Sequence, residues 1–288
     1  AIPDRWIRPV RPFSAHPSFD PETGELWNFG TAFGAPNKLL VHRVDRSGRL
    51  TTREIVLDGL PFVHDFVLTR RFAIFALPSV RFDIPRALLG LKTPVASLTL
   101  DPAPGMALLV PRDGGPPIRI PIPPGFVFHW AEGWEEGDRL ILDGETYHAF
   151  PDLSEPFASF MGPEGAPHLL ARPVRLTLDL STETAEETSL AAHAMELPRT
   201  TGRAADRVVF ATGAPPDRVQ PFYASILRLA PDGTLTERDL GDDLPGEPLP
   251  AGRWLLVPVW CAEGHSELHV LDADSLDVAC RLRLPVPL

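Results

Sequence analysis

The sequence predicts an all-β protein, a β-propeller with four-stranded blades, and three observations lead to it. Thirty-four prolines and 22 glycines fall between short apolar runs rather than in one linker, which is typical of many short strands joined by turns. One hairpin pattern returns along the chain, and a second pattern carries a histidine three times. Repeated hairpins indicate sheets arranged radially. The 288 residues, 44% of them hydrophobic, are expected to form one domain over residues 1–288.

The first pattern is an apolar-polar strand, a turn rich in Asp and Gly, and a second strand. Its first copy has strands at Lys38–Val44 and Leu50–Leu57, joined by the turn Asp45-Arg46-Ser47-Gly48. Further copies are at Ile226–Leu240, Val174–Thr188 and Leu268–Leu284. Because the copies are spread over the whole chain, they predict successive blades.

The second pattern is clearest in Phe62–Phe75, FVHDFVLTRRFAIF, which reads as a short strand with His64, a charged turn and a second apolar strand. Alternation along the first strand places His64 on one face among apolar neighbours. His16 and His129 occupy the same slot before their own turns and strands. Since the three histidines are about one blade apart, we expect each blade to direct one imidazole at the central axis.

Three converging neutral imidazoles would suit a borderline divalent metal such as iron, copper or zinc. The alternative is that each histidine is a half-buried strand residue with its hydrogen bonds satisfied. The other histidines are expected to be surface or structural residues: His42, His148, His168, His193, His265 and His269.

Charge and cysteine content limit the classes of function. The net charge of −11, from 38 acidic and 27 basic residues, argues against nucleic acid, because phosphate contacts need clustered Lys and Arg. Cys261 and Cys280 are too few for a disulfide framework and lack C-x-x-C spacing, so we interpret both as ordinary strand residues in a reducing compartment. No long apolar run or signal-peptide pattern is present. A cytoplasmic protein is expected.

Two stretches interrupt the strand rhythm. Pro85–Leu91 has a proline at a plausible first helical position and predicts a short helix on an insertion. Pro151–Leu170 is rich in proline and glycine and predicts a loop. Neither has the character of a domain boundary.

Five segments, in order along nearly the whole chain, resemble the consecutive motifs of the carotenoid cleavage oxygenase family. They are SAHPSFDPETGELWNFG, FVHDFVLTRRFAIF, FVFHWAEGWEEGDRLILDG, MELPR and GEP. The resemblance implies a seven-bladed β-propeller with one Fe(II) per chain on its axis, held by four histidines. His16, His64 and His129 would be three of these ligands.

The resemblance also assigns two carboxylates. Glu196 in MELPR and Glu247 in GEP would accept the distal N–H of ligand imidazoles, and Glu196 is expected on His129. The family's fourth histidine lies in a Gly-Phe-His-Gly-like motif, which would be expected next after Leu288. Roughly the first two blades of a family member are also missing from this sequence, so we interpret it as a fragment or a truncated member.

The activity implied by the resemblance is oxidative cleavage, with O₂, of a carbon–carbon double bond in a lipophilic carotenoid, apocarotenoid or stilbene-like compound. Two carbonyl fragments would be the products. Two alternatives stay open: a truncated, metal-poor propeller that binds an apolar ligand or nothing, and an isomerase like one branch of the family. Bound iron would separate the first alternative from the enzyme.

The substrate path has two predicted parts. Aromatic residues expected to line a tunnel are Phe126, Phe128, Trp130, Phe157, Phe160 and Phe222, although such residues also serve as core. The segment Arg86–Leu98 resembles the family's apolar patch at the tunnel mouth, where leucines flanked by cations would touch a membrane. The alternative is that these leucines pack against the propeller.

Overall fold

The computed structural model describes residues 12–59, 62–82, 89–90, 97–148, 171–202, 204–214 and 223–286. Within these residues the chain forms five antiparallel sheets of four or five strands and one two-stranded hairpin. Four of the five larger sheets are built from consecutive strands and the other is interrupted by the hairpin, an order expected for the blades of a propeller. The predicted fold class, an all-β propeller, is confirmed.

The first blade contains β1 (Ser18–Asp20), β2 (Glu25–Ala32), β3 (Asn37–Val44) and β4 (Leu50–Leu57), paired in that order. The second blade follows with β5 (Val67–Leu68) and β6 (Phe72–Leu77). A separate hairpin, β7 (Val80–Phe82) and β8 (Leu98–Leu100), interrupts it before β9 (Gly105–Pro111) and β10 (Ile118–Ile122) complete the order β5-β6-β9-β10.

The next two blades are uninterrupted in their strand order. The third contains β11 (Phe126–Glu136), β12 (Arg139–Tyr147), β13 (Arg172–Asp179) and β14 (Thr184–Ser189). The fourth contains β15 (Ala194–Thr201), β16 (Val208–Ala214), β17 (Ser225–Leu229) and β18 (Leu235–Asp239), with one 3₁₀ turn at Ala204–Asp206.

The fifth blade contains β19 (Leu244–Pro245), β20 (Leu249–Ala251), β21 (Trp254–Cys261), β22 (His265–Asp272) and β23 (Val278–Arg283). Both short strands, β19 and β20, pair with β21. The repeated hairpins predicted from the sequence are therefore the third and fourth strands of four blades: β3–β4, β13–β14, β17–β18 and β22–β23. The histidine hairpins are the first and second strands of three blades: β1–β2, β5–β6 and β11–β12.

Apolar side chains from adjacent blades form the core. Those of the first and second blades share one buried cluster, which includes Phe29, Val41, Phe75 and Leu108. A second cluster joins the second and third blades, and a third joins the fourth and fifth. Each fully buried side chain of this size contributes about 1.5–3 kcal/mol through removal of apolar surface from water. The interfaces between blades thus hold the first strands in a fixed arrangement around the axis.

The structure corrects the predicted strand around His64. Regular pairing covers only Val67–Leu68, and the preceding residues have no strand partner. The reason is local: the carboxylate of Asp65 accepts the N–H of Phe66 at 2.7 Å and that of Trp130 at 2.9 Å. A side chain thus satisfies backbone donors that would otherwise join a ladder.

Two further predictions concern segments that lie largely or wholly outside the described residues. Of the predicted helix Pro85–Leu91, only Leu89 and Gly90 are described, and they form a turn. The predicted loop Pro151–Leu170 is outside the described residues altogether. Among the residues that the structure describes, no helix has both the length and the apolar character to cross a membrane.

Candidate metal centre

Three imidazoles meet where the first strands of three successive blades begin. The ring centroids of His16 and His64 are 4.7 Å apart, and each lies 5.1 Å from that of His129. One ring nitrogen from each histidine lies within 4.8 Å of the corresponding nitrogens of the other two. The structure thus brings together all three histidines that the sequence singled out.

Ser14 fixes the backbone at His16. Its hydroxyl accepts the N–H of His16 at 3.0 Å, and its own N–H donates to the buried amide oxygen of Asn28 at 2.8 Å. The Asn28 side chain returns a hydrogen bond to the Ser14 carbonyl at 2.9 Å. Since Asn28 lies in β2, these bonds tie the segment carrying His16 to the blade.

His129 lies in an irregular part of β11. The pairing with β12 shifts register between Val127 and Trp130 and again between Trp130 and Glu132. The Trp130 N–H instead reaches Asp65, next to His64 in the chain. Irregularities of this kind redirect side chains, and here Asp65 connects the segment that carries His64 to the strand that carries His129.

Glu196 is the buried partner of His129. One oxygen of its carboxylate lies 2.7 Å from Nδ1 of His129, and the other accepts the hydroxyl of Tyr147 at 2.6 Å. The N–H of Leu197 also donates to the carboxylate, at 2.8 Å. Leu197 has a φ of 55°, at an irregularity in the β15–β16 pairing. The chain thus adopts a strained conformation at the point where the carboxylate meets the imidazole.

The electrostatics differ between the imidazoles. Burial, together with the neighbouring His129 and His16, lowers the pKa of His64 to about 4, so its ring is neutral at neutral pH. Burial alone would also lower the pKa of His129, but the hydrogen bond and charge of Glu196 raise it. Because Glu196 occupies Nδ1 of His129, the Nε2 of that ring is the nitrogen left for the shared centre.

Sequence reasoning missed several buried polar groups around the imidazoles. Burial raises the pKa of the Asp65 carboxyl. Burial and the negative charges of Glu196 and Asp65 place the pKa of Glu145 well above its usual range. Burial and Glu196 likewise raise the pKa of Tyr147. The sequence did carry a signal, because Asp143 and Glu145 directly follow the apolar run Leu140-Ile141-Leu142, and the structure buries this strand along almost its whole length.

Glu247, the second carboxylate assigned from the motifs, is placed differently. It pairs with Arg199 at 2.5 Å, and 43% of its side chain is exposed. Its charge still contributes to the raised pKa of His129. Its predicted role as the partner of a ligand imidazole stays a prediction.

Aromatic rings cover one side of the histidines. The ring of Phe128 lies 5.1 Å from His64, edge to face, and 4.4 Å from Phe126. Phe62 and Tyr147 complete the group at 5.2 Å from Phe126 and 5.3 Å from Phe128. These rings form an apolar wall directly beside the imidazoles.

Of the other predicted tunnel residues, the structure describes only Trp130. Trp130 is buried in the core between the second and third blades. Phe157, Phe160 and Phe222 lie outside the described residues.

A cavity lies beside the segments that follow the three histidines in the chain, although none of these histidines lines it. This cavity of about 680 Å³ is lined by residues of β1, β5 and β11, with Trp130 at its wall. Its lining includes the charged residues Asp20, Glu22, Arg70, Arg112, Glu132 and Glu135. The surroundings of this cavity are therefore charged, whereas the rings nearest to His64 are aromatic.

The donor set fits a metal ion. Nε2 of His16 and Nε2 of His64 lie 3.0 Å apart. Two nitrogens that bind one metal at about 2.1 Å and at right angles are about 3.0 Å apart, so this spacing matches adjacent ligands of a single ion. The buried carboxylate on His129 is the usual support of a ligand imidazole.

Fold and site together define a β-propeller protein with a histidine centre suited to a metal on its axis, and comparison with known proteins is more specific. Residues 4–288 match the family described as retinal pigment epithelial membrane protein. The apocarotenoid-15,15'-oxygenase of Synechocystis sp. is 30% identical over 291 residues, which cover 92% of this chain and 59% of that protein. The chain therefore belongs to this family, the carotenoid cleavage oxygenases.

Other relatives agree with this membership. An isoeugenol monooxygenase of Pseudomonas nitroreducens is 30% identical over 194 residues, covering 64% of this chain and 39% of that protein. The structure of a cobalt-substituted Synechocystis apocarotenoid oxygenase superimposes with a TM-score of 0.83 at 28% identity, covering 96% of this chain and 63% of that one. The chain thus spans less than two thirds of the length of these relatives.

Proposed function

We propose that this chain carries the catalytic core of a non-haem iron dioxygenase that cleaves a carbon–carbon double bond of a carotenoid, apocarotenoid or stilbene-like substrate with O₂, giving two carbonyl products. The observation that carries the proposal is the convergence of His16, His64 and His129 beside an aromatic wall. Its relatives support it, since they include an apocarotenoid oxygenase and a carotenoid 9,10-cleavage dioxygenase of Arabidopsis thaliana.

The three imidazoles would hold one Fe(II) per chain. Imidazole ligands are neutral, so the bound ion would keep its full positive charge and would supply the activation of O₂. Burial keeps His64 neutral, which leaves its lone pair free for a ligand bond. Glu196 fixes the tautomer of His129 through Nδ1, and the hydroxyl of Tyr147 fixes the carboxylate.

The aromatic wall favours an apolar substrate. Phe128 contacts His64 directly, and the buried ring of Phe126 and the ring of Phe62 pack behind it. Aromatic faces stack well on a conjugated chain or ring, and they exclude water from the reacting bond. The cavity of about 680 Å³ is lined by charged groups, which an apolar molecule would have to desolvate. We therefore place the substrate on the Phe128 side.

We also place the protein in the cytoplasm, in contact with a membrane surface. A cytoplasmic protein that touches a membrane through Arg86–Leu98 would collect a lipophilic substrate from the bilayer. Leu89, within this segment, is 72% exposed. An exposed leucine flanked in sequence by Arg86 and Lys92 has the composition of a segment that lies at a headgroup boundary.

The test is turnover by the iron-loaded chain. The protein is reconstituted anaerobically with Fe(II) and given an apocarotenoid or a hydroxystilbene under ¹⁸O₂, and carbonyl products are detected by mass spectrometry. We expect labelled fragments from the wild type and from the control His148→Ala, whose side chain is 54% exposed. His64→Ala should give none. Absence of product from the iron-loaded wild type, or full activity in His64→Ala, would contradict the proposal that this centre catalyses oxidative cleavage.

A further inference from the structure

A second group of potential metal ligands lies in the fifth blade, on the hairpin between β21 and β22. Cys261 ends β21 and His265 begins β22, and the two residues face each other in the pairing register. Glu267 follows two positions after His265 and therefore points to the same face of the sheet. One ligand atom from each of the three lies within 4.8 Å of the other two.

The turn between the strands fixes this arrangement. Gly264 has a φ of 84°, a conformation that favours glycine, and its N–H donates to the Cys261 carbonyl at 2.9 Å. The N–H of Ala262 donates to the carboxylate of Asp243 at 3.0 Å, which anchors the turn to the neighbouring segment. Cys261 and His265 are thus held opposite each other by backbone geometry.

Glu267 is oriented by two imidazoles. One carboxylate oxygen lies 3.2 Å from Nε2 of His265, and the other lies 2.9 Å from Nε2 of His269. His269 is 1% exposed, and its Nδ1 has no hydrogen-bond partner within the described part of the chain. A fully buried imidazole on the far oxygen holds the carboxylate in place, as outer partners do for metal-binding carboxylates.

The local charge favours a cation. Burial and the carboxylates of Asp243, Glu267 and Glu263 raise the pKa of the Cys261 thiol, and Arg281 acts in the opposite direction. The same negative potential attracts a divalent ion, and an ion that binds the sulfur displaces its proton. Cys261 is 5% exposed, so the sulfur lies in a largely dry environment.

We propose that Cys261, His265 and Glu267 form a second metal site, separate from the histidines on the axis, for a divalent ion of the zinc class. Sulfur, imidazole and carboxylate are the ligand types that zinc takes in proteins, and three protein ligands leave one position for water. A thiolate favours zinc or cobalt over harder ions such as magnesium. His269 is the residue that positions Glu267.

Cobalt(II) distinguishes the two sites because a cobalt–thiolate bond gives a charge-transfer band in the near ultraviolet, whereas an all-imidazole centre does not. Metal-free wild-type protein is titrated with Co(II) and followed by absorbance and metal analysis. We expect the thiolate band to grow to one equivalent per chain and to disappear when Zn(II) is added. The variant His16→Ala should keep the band, which separates this site from the proposed iron centre.

The matched variants are Cys261→Ser and Cys280→Ser. Cys280 is the second free cysteine and is exposed in β23, so its replacement should leave the band unchanged. Cys261→Ser should abolish the band. No band in the wild type would overturn the site by itself, whatever the folding of the variants. A band that survives in Cys261→Ser or vanishes in Cys280→Ser would also overturn it.

Discussion

Glu196 links the candidate centre to the interior of the protein. Its carboxylate accepts hydrogen bonds from Tyr147 and Leu197 while it contacts Nδ1 of His129. With 6% exposure, it has little access to solvent that could replace these partners. The hydrogen bond and the charge of Glu196 are therefore the main reasons for the raised pKa of His129, and the charges of Asp65 and Glu247 add to them.

Replacing Glu196 by Gln keeps the shape of the side chain and removes its charge. We expect Glu196→Gln to lower iron affinity or activity by about 10- to 100-fold, because the imidazole loses the partner that fixes its tautomer and raises its basicity. The measurement is iron content after dialysis against a graded chelator, together with turnover. Glu186→Gln, an exposed residue of β14, is the control. If both variants match the wild type, Glu196 does not support the centre.

A charge network lies near the charged cavity. Arg112 is 2.5 Å from the carboxylate of Asp20 and 3.4 Å from that of Glu25. Burial alone would raise the pKa values of both acids, but the hydrogen bond from Arg112 lowers that of Asp20 and the one from Arg43 lowers that of Glu25. A lowered pKa in the folded state stabilises the protein above the unfolded value and loses this contribution as the pH falls through the folded value.

Asp20→Asn should therefore destabilise the protein in a pH-dependent way. Near neutral pH we expect the free energy of unfolding to fall by about 1.5–3 kcal/mol, the cost of a hydrogen bond to a charged group. The difference from wild type should shrink below about pH 4, where the unfolded carboxyl takes up a proton. Urea denaturation at several pH values measures both. The control is Asp138→Asn, in the exposed turn after β11. If the difference in unfolding free energy between Asp20→Asn and the wild type did not change with pH, the charge network would be contradicted.

The sequence was informative about residues that recur and less so about residues that occur once. His16, His64 and His129 could be identified because they repeat in one slot and lie in recognisable motifs. Asp65 and Tyr147 do not repeat, and their importance comes from contacts with Trp130 and Glu196 that are distant in the chain. Such contacts depend on how blades pack, which local pattern does not specify.

Among the elements, the hairpins were predictable and the irregular strands were not. Alternation and turn residues located β3–β4 and β17–β18 closely, since both depend on neighbours in sequence. The shortened β5 and the register shifts of β11 arise from Asp65, which satisfies backbone donors of two strands. The parts of the fold that shape the centre are thus those where a side chain replaces regular pairing.

The segment Arg86–Leu98 carries the prediction of membrane contact. Leu89→Glu places a charge on a side chain that is 72% exposed, so folding should be unaffected while binding to lipid is lost. Co-sedimentation with liposomes compares it with the wild type and with Leu249→Glu, whose native side chain is 57% exposed in the fifth blade. Equal sedimentation of all three proteins would show that the substrate arrives by another route.

At the scale of the whole molecule, blades that pack in sequence order bring distant residues to one axis. His16 and His129 belong to the first and third blades, yet their ring centroids are 5.1 Å apart. The propeller class and the family followed from the repeats and motifs, because both are periodic or ordered along the chain. The aromatic wall and the charged cavity did not, because each is assembled from several blades.

The proposed function requires that His16, His64 and His129 bind one metal ion together. X-ray absorption at the iron edge of the Fe(II)-loaded protein, combined with iron analysis, tests it most directly. We expect one iron per chain, nitrogen ligands at about 2.0–2.2 Å and the outer-shell scattering of imidazole, all lost in His16→Ala. Iron that shows no imidazole scattering, or the same spectrum and stoichiometry in His16→Ala, would contradict it.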